Sequence, residues 1–230
     1  MNSLVLLNGS PRGERSSSMK MLKRVAEGWV RGGGAPPEVL HLVRRAQFQH
    51  AVEAFAGADV VLLGLPLYTD AMPALVKAYI EALAPRVEAA RAGGANPTLA
   101  FLVQGGFPEA AHSRPLERYL EKLAQRLGSH YAGTIVRGGG EALQAMPEQA
   151  NRKLWAQLQM LGEQLARDGH FGAAELKAVA GIERFSRFGA LLASFACRIP
   201  AVQFYWNGQL KKNGAWERRF AAPYGAAFEE

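Results

Sequence analysis

The sequence predicts an α/β fold, a doubly wound three-layer sandwich around a five-stranded parallel sheet. Short apolar runs alternate with helical stripes, in which apolar residues recur at spacings of three and four, over about three quarters of the chain. Two of the runs, DVVLLG and TLAFLV, are apolar almost throughout, which is typical of parallel strands covered on both faces. Right-handed crossovers between such strands place helices on both sides of the sheet.

A strand, a loop and a helix open the chain. The strand is predicted at Leu4 to Leu7, because the run is too short for a helix and ends in the turn-forming residues NGSP. Ser16, Ser17 or Ser18 then caps the helix. Its apolar stripe consists of Met19, Leu22, Val25, Ala26 and Trp29.

The second and third strands follow with their helices. Glu38 to Val43 alternates polar and apolar residues, as an edge strand does, and the helix after it ends at Gly57. The third strand, Asp59 to Gly64, stops before Pro66, and Pro73 suits the first turn of the next helix. The stripes of these two helices are Phe48, Ala51, Val52 and Phe55, then Met72, Leu75, Val76, Tyr79, Ile80 and Leu83.

The last two strands are predicted at Thr98 to Val103 and at Tyr131 to Arg137. The helix between them is closed by Gly128, and a fifth helix follows the fifth strand. Their apolar stripes are Leu116, Tyr119, Leu120, Leu123 and Leu127, then Leu154, Leu158, Leu161 and Leu165. We therefore expect one domain over residues 1–171.

Residues 172–230 form a predicted extension beyond the sheet. Ile182 to Ile199 is expected to be helical and is rich in Phe and Leu, and Phe204, Tyr205 and Trp206 follow it. Such an aromatic segment packs on its own domain or on a second subunit, and we favour the subunit, in a dimer or tetramer. Contact with a membrane surface is the alternative, because arginines flank the apolar face.

Composition excludes several classes of function. The formal net charge of +7 is spread along the chain and does not form a nucleic-acid-binding cluster. One cysteine, Cys197, rules out an internal disulfide, and we expect a cytoplasmic protein with no signal peptide and no integral membrane segment. No metal site is expected, since the histidines lack ligand spacing and are predicted to lie on the surface. They are His41, His50, His112, His130 and His170.

Three loops are expected to meet at the carboxyl edge of this sheet, after the first, third and fourth strands. The first offers serine hydroxyls, a helix N-terminus and the forked guanidinium of Arg12, all of which suit a phosphate. The second, LPLYTDAM, offers the aromatic ring of Tyr68. The third offers Gly105 and Gly106, which let the backbone approach a flat ring, with Phe107 at the rim. A phosphate socket beside two such loops predicts a site for flavin mononucleotide (FMN).

Each of these residues also has a purely structural interpretation. Tyr68 can pack in the core with its hydroxyl satisfied. Asp70 can cap the helix that starts near Pro73. Gly105 and Gly106 can simply form a turn.

The segments NGSPRGERSSS, GLPLYTDAMP and VQGGFPE, in this order, resemble the flavodoxin-like NAD(P)H-dependent FMN reductase family over about residues 1–170. The resemblance implies the strand order 2-1-3-4-5. It also implies that the FMN phosphate is held by Ser10, Arg12, Ser16, Ser17 and Ser18. The implied lining of the flavin ring is Pro66, Leu67, Tyr68 and Thr69 on one side, and Gln104, Gly105, Gly106 and Phe107 on the other. The segment Gly138 to Glu141 resembles a further loop near the flavin.

The resemblance implies hydride transfer from NAD(P)H through FMN to a small acceptor, such as a flavin or a quinone. The cofactor performs this chemistry, so we expect no catalytic side chain. An iron–sulfur flavoprotein is excluded, because residues 44–58 contain no cysteine. Two alternatives remain open: an electron carrier for protein partners, and a flavin-free interaction protein.

Overall fold

The structure of the chain, a computed structural model, describes residues 2–196 and 203–222. It divides into two compact units, one up to Arg184 and one from Phe185 onward. The first unit contains the whole sheet and all of the predicted site residues. None of the described helices is both long and apolar enough to cross a bilayer.

Five parallel strands form the sheet in the order β2-β1-β3-β4-β5, which confirms the predicted order. They are β1 Leu4–Asn8, β2 Glu38–His41, β3 Val60–Pro66, β4 Thr98–Gln104 and β5 Tyr131–Arg137. In the register, Asn8 lies beside both His41 and Gly64, and Pro66 lies beside Gln104. The carboxyl ends of β1, β3 and β4 therefore lie along one edge, which brings the three predicted loops together.

Helices cover both faces of the sheet. In the first unit they are α1 Ser17–Arg31, α2 Arg45–Gly57, α3 Ala74–Ala82, α4 Ala84–Arg91, α5 Arg114–Arg126, α6 Ala142–Ala145, α7 Arg152–Asp168 and α8 Ala173–Ala180. Short 3-10 turns occur at Gly13–Arg15, Ala110–Ser113 and Glu148–Asn151. One core lies between the sheet and α1, α7 and α8, and the other lies between the sheet and α2, α3 and α5.

The helices α1 and α7 pack unusually closely, because glycines line their contact. A Cβ at Gly28 would lie 1.8 Å from the carbonyl oxygen of Gln159, and a Cβ at Gly162 would lie 2.0 Å from that of Val25. Any side chain at these positions would push the two helices apart. The glycines therefore hold the backbones of α1 and α7 directly against each other.

The helix α8 extends the first unit beyond the predicted boundary at residue 171. Its Val179 is fully buried in the core shared with α1 and α7. Arg137, at the end of β5, donates to the carbonyl oxygen of Val179 at 3.0 Å, near the C-terminal end of α8. The alternation of strands and helices could not predict this, since α8 follows α7 without another strand.

The second unit contains α9, Arg187–Ala196, and α10, Phe204–Lys212. The helix predicted from Ile182 is shorter at its start, because Ile182 instead forms a bridge with Glu109. Residues 197–199 of that prediction lie outside the described residues. Several large apolar side chains of this unit are exposed, namely Phe188, Leu191, Leu192, Phe195, Phe204, Trp206 and Phe220.

Candidate functional site

Asn8, at the carboxyl end of β1, organises the first loop. Its side chain is completely buried, and its Nδ2 donates to the carbonyl oxygen of Gly13 at 2.8 Å. Its Oδ1 accepts from the amide of Ser10 at 3.1 Å. These bonds fold the loop back toward the strand end. The sequence indicated Asn8 only as a turn former, because its partners become neighbours only in the folded loop.

His41 is a further partner of the Asn8 side chain, with Nδ2 of Asn8 at 3.1 Å from Nδ1 of His41. The other bonds fix Nδ2 as a donor, so Nδ1 of His41 accepts and the ring is neutral. Burial, with a smaller contribution from the charge of Arg44, lowers the pKa of His41 below its ordinary value. The prediction that the histidines lie on the surface is therefore wrong for His41, which is 5% exposed, and correct for the other four.

The N-terminus of α1 contains the three serines assigned to phosphate. Ser16 is the cap, and its Oγ accepts from the amide of Met19 at 3.1 Å and donates to the carbonyl oxygen of Gly13 at 2.7 Å. The amides of Ser17 and Ser18 donate to no described residue, although both residues are buried. Two buried amides at the positive end of a helix favour an anion there.

The hydroxyls of the first loop have few partners of their own. Ser10 is buried, and its Oγ accepts from the amide of Arg12 at 3.3 Å. The Oγ of Ser17 accepts from the side-chain amide of Gln144 at 3.2 Å, and the Oγ of Ser18 from that of Gln104 at 3.5 Å. Each of these hydroxyls keeps its own proton available for a further acceptor.

Arg12 lies on the surface of this loop and contacts the segment that follows β5. Its Nη1 is 2.8 Å and 3.1 Å from the two carboxylate oxygens of Glu141. Its Nη2 donates to Oε1 of Gln144 at 2.7 Å. The sequence indicated the GGGE segment as a neighbour of the site, and Gln144 is a further member that the sequence did not indicate.

The second loop is a tight hairpin. Tyr68 and Ala71 exchange backbone hydrogen bonds of 2.9 Å and 3.1 Å, and Thr69 and Asp70 between them have φ values of 49° and 61°. Such left-handed conformations are costly for a β-branched residue such as Thr69, and they persist where the surroundings or a function require them. The hairpin presents the ring of Tyr68, which is 44% exposed, at the edge of the sheet.

Two structural interpretations of the second loop are wrong. Tyr68 does not pack in the core, because its side chain is exposed. Asp70 does not cap α3, whose N-cap is Pro73 with no side-chain hydrogen bond. Both residues are therefore available to a ligand. Pro66 is buried at the strand end and Leu67 is partly exposed, with its amide donating to the carbonyl oxygen of Gln104 at 2.8 Å.

The third loop contains two glycines at positions where the described structure would accept a larger residue. Neither Gly105 nor Gly106 has a positive φ, and a Cβ at either position would meet no atom closer than 3.8 Å. The amides of Gly106 and Phe107 donate to no described residue. Phe107 is 70% exposed, and its ring centroid is 5.2 Å from that of His112. Glycines without an internal role favour the close approach of an external group.

The structure thus brings the predicted site residues together on adjoining loops. Gln104 contacts Ser18 of the first loop, and Leu67 of the second loop lies near Gly105 of the third. The loop after β5 joins them, because the amide of Gly140 donates to the carbonyl oxygen of Gly105 at 2.7 Å. The first loop contributes hydroxyls and the amides of Ser17 and Ser18. The second and third loops contribute the exposed rings of Tyr68 and Phe107. This arrangement can bind an anion attached to a flat ring.

Comparison with known proteins agrees with this architecture. The model of a protein family described by its flavodoxin-like fold matches residues 2–163. No curated protein matches the chain by sequence. Among solved structures, an NADH:FMN oxidoreductase in its apo form has a TM-score of 0.56 and 18% identity, over 81% of this chain and 97% of that one.

Two further structures are similar. An FMN-dependent NADH-azoreductase from Bacillus anthracis, solved in complex with FMN, has a TM-score of 0.55 and 15% identity, over 72% of this chain and all of that one (100%). An NADPH-quinone reductase from P. pentosaceus has a TM-score of 0.50 and 18% identity, over 72% and 98% of the two chains. At these identities the likeness concerns the fold alone. The family match, however, spans most of the chain, which therefore belongs to the flavodoxin-like family.

Proposed function

We propose that this protein is an NAD(P)H-dependent oxidoreductase that binds FMN and reduces a small acceptor, such as a flavin or a quinone. The observation that carries the proposal is the pair of buried amides of Ser17 and Ser18, which donate to none of the residues that the structure describes. They lie near the third loop, where a Cβ at Gly105 or Gly106 would have room among the described residues. When bound, FMN would accept a hydride from NAD(P)H and pass the electrons on.

The first loop would hold the phosphate. It supplies the amides of Ser17 and Ser18, and the guanidinium of Arg12. It also supplies the hydroxyls of Ser10, Ser17 and Ser18. Ser16 would act through its neighbours, since its hydroxyl already serves as the cap of α1. A dianion benefits here from charge-assisted hydrogen bonds and from the helix dipole.

The second and third loops would orient the flavin ring. Pro66, Leu67, Tyr68 and Thr69 would line one side, and Gln104, Gly105, Gly106 and Phe107 the other. The free amides of Gly106 and Phe107 can donate to an electron-rich edge of the ring, which favours its reduced state. The exposed rings of Tyr68 and Phe107 leave apolar faces for a flat nicotinamide or acceptor. No acid or base from the protein is needed for this role.

The similar solved structures support this function. They are those of an NADH:FMN oxidoreductase, an FMN-dependent NADH-azoreductase and an NADPH-quinone reductase. The experiment that tests the proposal is the visible absorbance spectrum of the purified protein with FMN, before and after NADPH is added without oxygen. A bound flavin spectrum that bleaches supports the proposal. Failure to bind FMN would contradict it.

An electron carrier is the second candidate, because the fold serves carriers as well as reductases. The net charge of +7 favours the reductase, since a cationic surface attracts the anionic nicotinamide nucleotide. The two functions differ in steady-state oxidation of NADH or NADPH by the FMN-loaded protein with a quinone acceptor. A reductase turns over many times under these conditions, whereas a carrier does not.

We further propose that the second unit, from Phe185 onward, acts in assembly, and that the protein is a cytoplasmic homodimer or tetramer. The support is the set of exposed apolar side chains on α9 and α10. Light scattering after size-exclusion chromatography tests the oligomeric state. A monomer that binds anionic vesicles would instead favour contact with a membrane surface.

A further inference from the structure

Arg12, the residue that we assign to the FMN phosphate, already pairs with the carboxylate of Glu141. Nη1 of Arg12 contacts both carboxylate oxygens of Glu141, at 2.8 Å and 3.1 Å. A carboxylate and a phosphate bind a guanidinium through the same kind of charge-assisted hydrogen bond. In this state, Glu141 therefore occupies donors that a phosphate would use.

Gln144, three residues after Glu141, also contacts residues of the proposed phosphate subsite. Its Oε1 accepts from Nη2 of Arg12 at 2.7 Å, and its Nε2 donates to Oγ of Ser17 at 3.2 Å and to the carbonyl oxygen of Arg15 at 3.1 Å. Glu141 and Gln144 thus both contact the guanidinium of Arg12, and Gln144 also contacts the hydroxyl of Ser17.

The backbone that carries Glu141 is fixed, whereas its side chain can turn away. The amide of Gly139 donates to the carbonyl oxygen of Phe107 at 2.7 Å, and that of Gly140 to Gly105 at 2.7 Å. A Cβ at Gly138 would lie 2.2 Å from the carbonyl oxygen of Pro108, so this loop is tightly packed there. The side chains of Glu141 and Arg12 are both 43% exposed, and water can receive the displaced carboxylate.

We propose that Glu141 is an internal competitor for the phosphate subsite, and that the FMN phosphate displaces it from Arg12. This inference rests on the proposed FMN-binding function. A phosphate dianion beside Glu141 also meets a like charge, which again disfavours binding while the carboxylate stays in place. Glu141 therefore weakens the binding of FMN and makes the flavin easier to exchange.

The test is the affinity of wild type and of Glu141→Gln for FMN, measured by quenching of flavin fluorescence. The amide keeps the shape of the carboxylate and removes its charge. We expect the variant to bind FMN roughly two- to fivefold more tightly, the range set by the free energy of an exposed ion pair. Riboflavin, which lacks the phosphate, should bind both proteins equally.

Glu148→Gln is the matched control. It removes the same charge from an exposed glutamate that pairs with Arg24 and has no described contact with the first loop. Its FMN affinity should equal that of wild type. Weaker binding of FMN by Glu141→Gln would show that Glu141 instead positions Arg12, and an equal change for riboflavin would show that the phosphate is not involved. Either result overturns this inference alone, whereas a wild-type protein that binds no FMN overturns the proposed function with it.

Discussion

Nδ2 of Asn8 lies 3.1 Å from Nδ1 of His41, across the parallel pair of β1 and β2. The same amide group donates to the carbonyl oxygen of Gly13. Protonation of His41 would place two donors against each other, so Asn8 keeps its hydrogen bond to His41 only while His41 is neutral. The edge strand β2, which contains His41, thereby helps to position Asn8 and the first loop.

This relationship predicts a pH dependence of stability. Burial lowers the pKa of His41 in the folded state, so the unfolded chain binds the proton more readily. The contribution of His41 is therefore fully present above the unfolded pKa of about 6.5 and is lost as the pH falls toward the lower folded pKa. Arg44 and Lys23 add to this loss, whereas Glu14 opposes it.

Thermal unfolding between pH 7.5 and pH 5 measures this effect in the wild type and in His41→Asn. The amide oxygen of asparagine can accept from Asn8 and does not titrate. We expect the wild type to lose more stability than the variant over this range. Equal pH dependence of the two proteins would contradict a neutral, buried His41.

Two variants of Ser16 distinguish an effect on the stability of α1 from an effect on the binding of phosphate. Replacing Ser16 by Ala removes the cap of Met19 and should lower the free energy of unfolding by about 1 kcal/mol. Ser16→Asp keeps an acceptor for the amide of Met19 but loses the bond that Ser16 donates to Gly13, so it should restore only part of that stability. Its negative charge should weaken FMN binding by repulsion of the phosphate. Urea denaturation and FMN titration of both variants measure the two effects. Tight FMN binding by Ser16→Asp would place the phosphate elsewhere.

The glycines of the third loop and of the loop after β5 should behave differently when replaced by alanine. At Gly105 and Gly106 a Cβ has room, so the variants should keep their melting temperature and lose FMN affinity. At Gly138 a Cβ would lie 2.2 Å from a backbone oxygen, so Gly138→Ala should lower the melting temperature by several degrees. Differential scanning fluorimetry with and without FMN compares the three. Unchanged FMN binding by Gly105→Ala and Gly106→Ala would contradict the ring subsite.

Arg12 should contribute to FMN affinity through the phosphate alone. We expect Arg12→Ala to weaken FMN binding roughly tenfold and riboflavin binding little, since a charged hydrogen bond is lost. Arg15→Ala is the control from the same loop, because among the described residues Arg15 has a hydrogen bond only through its backbone carbonyl, to Gln144. Fluorescence titrations with both flavins measure the effects. Equal losses in the two variants would indicate a general effect of charge.

The sequence predicted the parallel sheet and the loops at its edge, because the apolar periodicity and the turn residues of this chain agree with the fold. The strand order was implied by the family resemblance. The sequence also predicted the capping serines. The central parts of the site were harder to predict. Asn8 resembles any turn residue, and its partner His41 comes from another strand. Gln144 follows three glycines in a segment without periodicity, and contacts the first loop only after β5 has joined the sheet.

The hairpin at Thr69 and Asp70 illustrates a second limit. The sequence suggested a ligand contact for Thr69 and a ligand contact or a helix cap for Asp70. A left-handed backbone is tolerated by aspartate but is not expected of a β-branched threonine. The surrounding loop imposes that conformation, since Tyr68 and Ala71 pair on either side. Local sequence could not show it.

The glycine contact between α1 and α7 couples the position of one helix to that of the other. No side chain separates Gly28 from Gln159 or Gly162 from Val25, so a displacement of α1 toward α7 would meet backbone atoms. We therefore expect the N-termini of α1 and α7 to move together at the carboxyl edge of the sheet. A ligand bound at this edge would then be accommodated by side chains and loops, with little movement of the two helices.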